Sequence, residues 1–402
     1  MLWANSTTEA RVSLKDDTPI PHIDLAELAE QARASSRTEL INLIERRQDQ
    51  LVKELCGPKY SRRRPYRRGG SYTKRLVTFL GEITFTVKRI INRRNGGVRS
   101  PILEALDARR RRYSRGVRMR LVEFASTMSY GDARREYETA TGIRVPKRTI
   151  HSFVQEIAPQ LLEASRTAAE AGIVIGDSTK VRARASRQMN DVRVLTSGDG
   201  SLLSLRVNEA WPTAKADVLV SDGEAGLVNA VDAEKRQLCI LHAIKHLQFT
   251  LWKEGMSPED RHEAREAVRH VIFPLVYSAR KHLEDGDGVK LRAMIEWTLG
   301  ELRDVACRLR GRGYPKAAGF IERNARFMVT FAELALEGVK VPHTTNRIER
   351  LMGEVSKRCK NKWMHWSTDG LKNVLTLVLV RYTDEALYEN FKNVYIHNEA
   401  FI

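Results

Sequence analysis

The sequence predicts an α/β core built on a mixed sheet, interrupted by an all-helical block and preceded by a helical and hairpin-containing N-terminal region. Three observations predict it. From Gly172 to His242, short runs of β-branched and apolar residues follow one another across turn residues and then alternate with helical text. From about Trp252 to Lys340 apolar residues recur at helical spacing and no strand pattern is found. Before residue 165, a strand-like stretch lies between two helical ones. A chain of 402 residues exceeds one ordinary core, so several domains are expected. The boundaries fall as 1–56 helical, 57–100 basic hairpin, 101–165 helix-turn-helix, 166–251 first part of the α/β core, 252–340 helical insertion and 341–402 second part of the core.

Residues 24–56 carry apolar positions at helical spacing and end before Gly57-Pro58, a pair that stops helices. From Tyr72 to Asn92 β-branched and aromatic residues alternate with polar ones around Gly81-Glu82, which reads as a basic hairpin. Helical text returns over 101–165. Within it Tyr130, Ala133 and Tyr137 mark a short helix, Gly142 a turn, and Pro146 the start of a second helix that turns Ile150, Phe153 and Val154 inward. As a helix-turn-helix, the second helix presents Lys147, Arg148, Thr149 and His151 near its N-terminus, where such helices touch base edges and phosphates. An ordinary helical hairpin in a bundle has the same pattern.

GIVIGDSTKVRAR is an apolar run ending in an Asp, and NDVRVLTS and SLLSLRVNEAW add two strands across Gly198-Asp199-Gly200, making a meander. ADVLVSDGEAGLVNAV supplies a buried strand, Asp222-Gly223 and a helix. RQLCILH is a further strand leading into a helix from Ala243. After the helical block, VPHTTNRIERLMGEVSKR opens a helix, and DGLKNVLTLVLVRYTDEALYENF supplies another that should pack on the sheet.

The net charge of +18 points to a polyanionic partner, with nucleic acid foremost, through counterion release. The bland alternative is a solvated basic face, but the surplus is local. Between Lys59 and Arg120, Lys and Arg outnumber acids by roughly six to one, including Arg62, Arg63 and Arg64 in RRRPYRR and the run Arg109–Arg112. Cys56, Cys239, Cys307 and Cys359 lie far apart with no C-x-x-C pair, which argues against a disulfide framework and a four-cysteine zinc site. No stretch approaches the roughly 18 apolar residues of a membrane span, and the N-terminus lacks the basic-then-apolar order of a secretory signal. A cytoplasmic protein with no membrane partner is expected.

Two carboxylates at neighbouring strand ends plus a third on a later helix suit two hard divalent cations, because Mg²⁺ prefers oxygen ligands. Asp177 follows the first core strand and Asp222 the fourth. Two ions about 3.5–4 Å apart can activate an attacking hydroxyl and stabilise a leaving oxygen in displacement at phosphorus. Each member also has a structural reading. An Asp before Ser or Gly is often a turn former, and Asn346 and Glu349 have capping-box spacing with Asn346 as N-cap.

IGDSTKVRAR, VLVSDGEAG, CILHAIKHL and HTTNRIERLM resemble, in this order, the signature blocks of the Mutator-like insertion-sequence DDE transposases of bacteria and archaea. The resemblance covers residues 172–385, and the helix-turn-helix upstream is similar to theirs. It implies an RNase H-like core, with Asp177, Asp222 and Glu349 as catalytic metal ligands for two Mg²⁺ (Mn²⁺ can substitute), and a helical insertion between the last two. It implies cleavage and strand transfer on DNA, acting on element terminal repeats and target DNA, by a homo-oligomer associated with a prokaryotic nucleoid. Cys239 and His242 match the family's Cys-x-x-His block near the fifth strand, which looks structural or DNA-facing and stands outside the acidic triplet. A zinc site adding His246 is the alternative, although no fourth ligand has recognisable spacing. One departure stands out: relatives place a helix before the SDG strand, where NEAWPTAKADVLVSD leaves room for little more than a turn.

Trp297, in the insertion, has two readings: stacking on a flipped base, or core packing beside Ile295 and Leu299. KRCKNKWMHWSTDG combines Lys357, Arg358, Lys360 and Lys362 with Trp363 and Trp366, either to track a DNA strand or as a surface loop with buried tryptophans. Competing functions are a domesticated, catalytically inactive DNA-binding protein and a regulator that uses only the helix-turn-helix.

Overall fold

The computed structural model describes residues 25–58, 64–165, 170–184, 188–360 and 364–397, which form two compact units divided between Arg112 and Tyr113. The division falls inside the segment 101–165.

The first unit comprises α1 (Leu25–Cys56), β1 (Tyr66–Thr78), β2 (Gly81–Asn92), β3 (Val98–Arg99) and α2 (Pro101–Ala105). β1 and β2 pair antiparallel, and β3 adds to β2. Thr78 pairs with Gly81, so Phe79 and Leu80 form the loop and the reversal comes two residues before the Gly81-Glu82 expected. Gly81 has φ +118°, which a side chain rarely adopts. Burial along β2 alternates residue by residue, and Ile83, Phe85 and Val87 face a core completed by Ile44 of α1 and Ile102 and Leu103 of α2. Gln48, buried on α1, donates to Thr86 O at 2.8 Å and accepts from Lys88 N at 2.7 Å, which ties helix to hairpin through otherwise unpaired strand groups.

The second unit begins with α3 (Arg115–Thr127), α4 (Tyr130–Thr141) and α5 (Lys147–Ala164). Ser114 and Ser129 cap α3 and α4 through their hydroxyls, each cap contributing on the order of 1 kcal/mol. Gly142, at φ +70°, ends α4 in the left-handed conformation. Ile150, Phe153 and Val154 are buried, as the spacing predicts.

A five-stranded sheet follows: β4 (Glu170–Arg182), β5 (Met189–Ser197), β6 (Leu202–Val207), β7 (Ala214–Ser221) and β8 (Val231–Leu238), in the order β6-β5-β4-β7-β8. β4, β5 and β6 form the antiparallel meander, and β7 and β8 continue parallel to β4. β4 does not stop at Asp177: it pairs with β5 as far as Arg182, because Thr179 and Val181 keep their partners Val192 and Asn190. Residues 208–213, between β6 and β7, contain no helix. Trp211 fills that connection, buried against Val174, Leu195, Leu219 and Leu227. Its indole donates to Glu224 Oε1 at 3.2 Å.

Short α6 (Ala225–Ala230) links β7 to β8, and α7 (Ile240–Lys253) leaves β8. The helical block is α8 (Pro258–Asp285), α9 (Gly288–Gly311) and α10 (Pro315–Leu336). α10 packs on β8 and α7, so the insertion closes one sheet edge. Buried Gln237 of β8 accepts from Phe331 N of α10 at 2.7 Å. The chain ends with α11 (Asn346–Cys359), α12 (Thr368–Thr383) and α13 (Glu385–His397); α11 packs on β4, and α12 packs on β6 and α5.

Candidate active site

Register brings the first two carboxylates together. In the parallel ladder Val174 pairs with Leu219 and Ile175 with Val220, so two residues further on Asp177 stands level with Asp222 on the adjacent strand path. Neighbouring strands lie about 4.8 Å apart. Side chains alternate across the sheet. Gly176 approaches Leu227 of α6, and Ser178 donates to Glu224 Oε2 at 3.0 Å, so these two face the α6 side. Asp177 faces the other side, where α11 packs on β4 and carries Glu349 in its first turn.

Asp177 feels both of the other carboxylates. Burial pushes the Asp177 carboxyl up to about 6; the Ser178 N–H opposes the rise, whereas the negative charges of Asp222 and Glu349 add to it. Among the described residues no Lys or Arg forms an ion pair with Asp177, Asp222 or Glu349. The nearest recorded base is His242, whose Nδ1 is 3.8 Å from Glu349 Oε1. Asp222 is held by a local turn, accepting Glu224 N at 2.9 Å on Oδ1, with Gly223 at φ +90°.

Glu349 is not part of a capping box. Asn346 is the first helical residue, the N-cap is Thr345, and no side chain caps the helix. Thr345 Oγ1 instead lies 3.0 Å from Glu349 Oε1, 3.2 Å from His242 Nδ1 and 3.3 Å from Cys239 Sγ. Backbone bonds from Cys239 N to Ser221 O at 2.7 Å and from Ile240 N to His343 O at 3.1 Å draw the start of α7 between Asp222 and the segment before α11. Burial alone would raise the Cys239 thiol, but hydrogen bonding with His242 and Thr345 outweighs it and holds the thiol below its ordinary value. Hydrogen bonding with Cys239 raises His242 against the opposing effect of burial.

Cys239, His242 and Glu349 bring ligand atoms within 4.8 Å of one another. The Thr345 hydroxyl lies within hydrogen-bonding distance of all three, so the cluster is a hydrogen-bonded node as well as a set of ligand atoms close enough together to hold a metal ion. His246 takes no part: its ring stacks on Phe320 at 4.5 Å.

The nucleic-acid candidates are placed unevenly. Arg62, Arg63, Lys362 and Trp363 lie outside the described residues. Arg64 is exposed in the first unit. Arg148 and His151 are exposed at the start of α5, Thr149 is half-buried, and the Lys147 side chain lies over Gly131 at the start of α4. The His151 ring meets Tyr130 edge-on at 5.6 Å. Lys360 reaches the site's side of the sheet, donating to Thr179 Oγ1, two residues beyond Asp177. Trp366 does not offer a ring to bases: it is buried, donates to Cys359 O at 3.1 Å and lies under Arg358, itself buried and donating to Ala125 O at 2.7 Å. Trp297 reverses the core-packing expectation, being 46% exposed on α9, because Ile295 and Thr298 occupy the buried face.

Three residues went unnoticed in the sequence. Glu224 joins Ser178 to Trp211, Ser178 follows Asp177 directly, and Thr345 is the node. Glu224 and Thr345 lie inside the SDGE and HTTN strings, so adjacency to a candidate ligand was the available signal.

Residues 213–389, which include Asp222, Cys239, His242 and Glu349, match the model of the Mutator family of transposases. This segment belongs to the Mutator transposase family. Residues 23–184, which include Asp177, match a model described as an uncharacterised protein family, UPF0236. The two matches together span both compact units and fit a Mutator-like transposase. No curated protein matches the chain. Among the described residues no helix of the Mutator-like chain is long and apolar enough to cross a membrane.

Proposed function

We propose that this chain is a metal-dependent DNA transposase with an RNase H-like core, in which Asp177, Asp222 and Glu349 hold two divalent cations, Mg²⁺ or Mn²⁺. The observation that carries the reading is the register that levels Asp177 with Asp222 on the face where α11 delivers Glu349. The order β6-β5-β4-β7-β8, with three antiparallel strands followed by two parallel ones, supports the core assignment. The donor set fits the cations: three carboxylates, hard oxygen ligands, have no Lys or Arg ion-pair partner among the described residues, and burial raises the Asp177 carboxyl to about 6, so positive charge supplied there favours its ionised form.

Bound there, the cations would supply Lewis-acid stabilisation of the attacking and leaving oxygens at phosphorus. The protein's own residues prepare the site. Ser178 N holds Asp177 Oδ1 at 2.7 Å, and Glu224 N holds Asp222 Oδ1 at 2.9 Å, so each carboxylate keeps its second oxygen for a ligand. Thr345 holds one oxygen of Glu349. Lys360, beside Thr179, offers positive charge to a DNA backbone entering the site. In the same reading α4 and α5 act as the helix-turn-helix, with Lys147, Arg148, Thr149 and His151 directed at the element ends, and the basic hairpin unit with Arg62, Arg63 and Arg64 adds phosphate contacts.

The test is strand cleavage by the full chain on duplexes carrying the DNA that flanks its coding region, with and without Mg²⁺. Asp177→Ala and Glu349→Ala should each abolish metal-dependent cleavage while leaving DNA binding in place. Cleavage at the wild-type rate in both variants would overturn the assignment and favour an inactive, domesticated DNA-binding role.

A further inference from the structure

α7 carries two stripes. Ile240, Ala243, Ile244, Leu247 and Leu251 recur at helical spacing and are buried. On the other side His242, Lys245, Phe249, Trp252 and Lys253 fall at intervals of three, four, three and one residues, and so share a second face. That face starts in the candidate active site, where His242 is half-buried, and runs outward into solvent. Phe249 and Trp252 are 49% and 55% exposed, their rings stacked on each other at 5.6 Å with 29° between planes. Two adjacent half-exposed rings leave contiguous apolar surface in water, which a partner would cover.

The surroundings define the partner's chemistry. Lys253 Nζ lies 4.3 Å over the Phe249 ring. Arg261 and His262 of α8 share with Phe249 and Trp252 a shallow cleft of about 540 Å³. Neighbouring acids are turned to other tasks. Glu254 accepts the backbone N–H groups of Lys316 and Ala317 at 2.8 and 2.9 Å, and Asp260 pairs with Arg312 at 2.6 Å. Protein-binding surfaces are depleted in Lys at their centres, whereas here cations interleave with the rings. Flat aromatic faces beside cations suit a nucleic-acid strand whose bases are not already stacked in a duplex.

We propose that this stripe of α7 is a platform for an unpaired DNA strand next to the acidic site, with bases stacking on Phe249 and Trp252 and phosphates meeting Lys245, Lys253 and Arg261. At 1.5 Å per residue, Phe249 and Trp252 lie about 10 and 15 Å along the helix from His242, within a few nucleotides of the reacting phosphate. This rests on the transposase reading for its biological setting.

The test uses the full chain and two labelled probes, an oligothymidylate and a duplex of equal length, in fluorescence anisotropy at one salt concentration. Phe249→Ala with Trp252→Ala should weaken oligothymidylate binding at least about tenfold and duplex binding less than about twofold. Phe249→Tyr with Trp252→Phe should restore strand binding to within about threefold of wild type. Unchanged strand binding in the alanine pair, an equal loss on both probes, or failure of the aromatic pair to restore binding would each overturn the platform. So would a wild-type dimer that falls to monomer in the alanine pair without loss of strand binding, which makes the face a self-interface. Wild-type cleavage of element ends together with unchanged strand binding in the alanine pair overturns the platform alone. Selective strand-binding loss in a chain that cleaves nothing overturns the transposase reading and leaves the platform.

Discussion

Thr345 Oγ1 lies 3.0 Å from Glu349 Oε1, one helical turn along α11, and the same oxygen is 3.2 Å from His242 Nδ1 on α7. A hydroxyl has one proton to give and two lone pairs to receive. The Glu349 carboxylate, at 3.0 Å, is the nearest and most strongly charged acceptor for that proton. Thr345→Val, which keeps the shape and removes the hydroxyl, should reduce metal-dependent cleavage about 10–100-fold, as loss of a group orienting a metal ligand does. Thr345→Ser should recover most of it. Cleavage rates across a Mg²⁺ titration check this: the Val variant should require more metal, and an unchanged metal dependence would show that the node does not position Glu349.

Asp177 provides a pH dependence with a defined sign. Its carboxyl ionises near 6 in the folded chain, against an ordinary value of 3.8. The metal-free fold is therefore favoured by protonation of this group; that contribution is full below about pH 4 and is lost as pH rises through 6. Asp177→Asn should raise the Tm of the metal-free protein at pH 7.5 and leave it unchanged near pH 4, even as it abolishes cleavage. Melting curves in chelator at the two pH values measure it.

The same carboxyl should make metal binding pH-dependent. A proton competes with the cation below pH 6, so apparent Mn²⁺ affinity should fall by about tenfold for each pH unit below that point. Calorimetric titration at pH 5 and 7 checks this, and equal affinities would remove Asp177 from the ligand set.

Gly176 lies where β4 passes closest to α6. A Cβ there would come within 2.4 Å of Leu227 Cδ2 and 3.0 Å of Leu195 Cδ2, both in the packed core on that face. Gly176→Ala should cost about 1–3 kcal/mol by overpacking, and should disturb the adjacent Asp177 as well. Denaturant unfolding gives the first effect, and the Mg²⁺ dependence of cleavage gives the second.

Gln237 joins the sheet to the helical block. Removing its side chain with Gln237→Ala leaves the buried Phe331 N–H without its 2.7 Å side-chain acceptor and should destabilise the fold by about 1–3 kcal/mol. Chemical denaturation measures the loss. A result within experimental scatter of wild type would show that α10 holds its place on β8 through apolar packing alone.

The legible part of the fold was the part governed by local periodicity. Strict alternation along β2, the helical spacing of Ile150, Phe153 and Val154, and the Gly142 turn all follow from backbone geometry and the need to bury one face. The illegible parts were those in which a local pattern competes with a distant partner. Asp177 looks like a strand end because Asp-Ser is a turn former, yet β5 pairs past it to Arg182. Asn346 and Glu349 have capping spacing, yet Thr345 meets Cys239 and His242 from another helix. For Trp366 the sequence left base stacking and burial both open, and only Arg358 and the Cys359 carbonyl decide for burial.

By itself the sequence determined the composition of the candidate site and the kinds of element that carry it. The basic surplus, two Asp near strands, and a Glu opening a helix after a helical block are all visible as residues and spacings. Only the tertiary structure decided that Asp177 and Asp222 stand level, which face of the sheet they share, and that Thr345 ties Glu349 to His242. The physical reason is register. Side-chain period along a strand is two residues, so a slip of one in the β4–β7 ladder would send one carboxylate to the opposite face. That register is set by hydrophobic packing between segments some 45 residues apart, where Val174 and Leu219 enter the same core, and no local pattern in either strand records it.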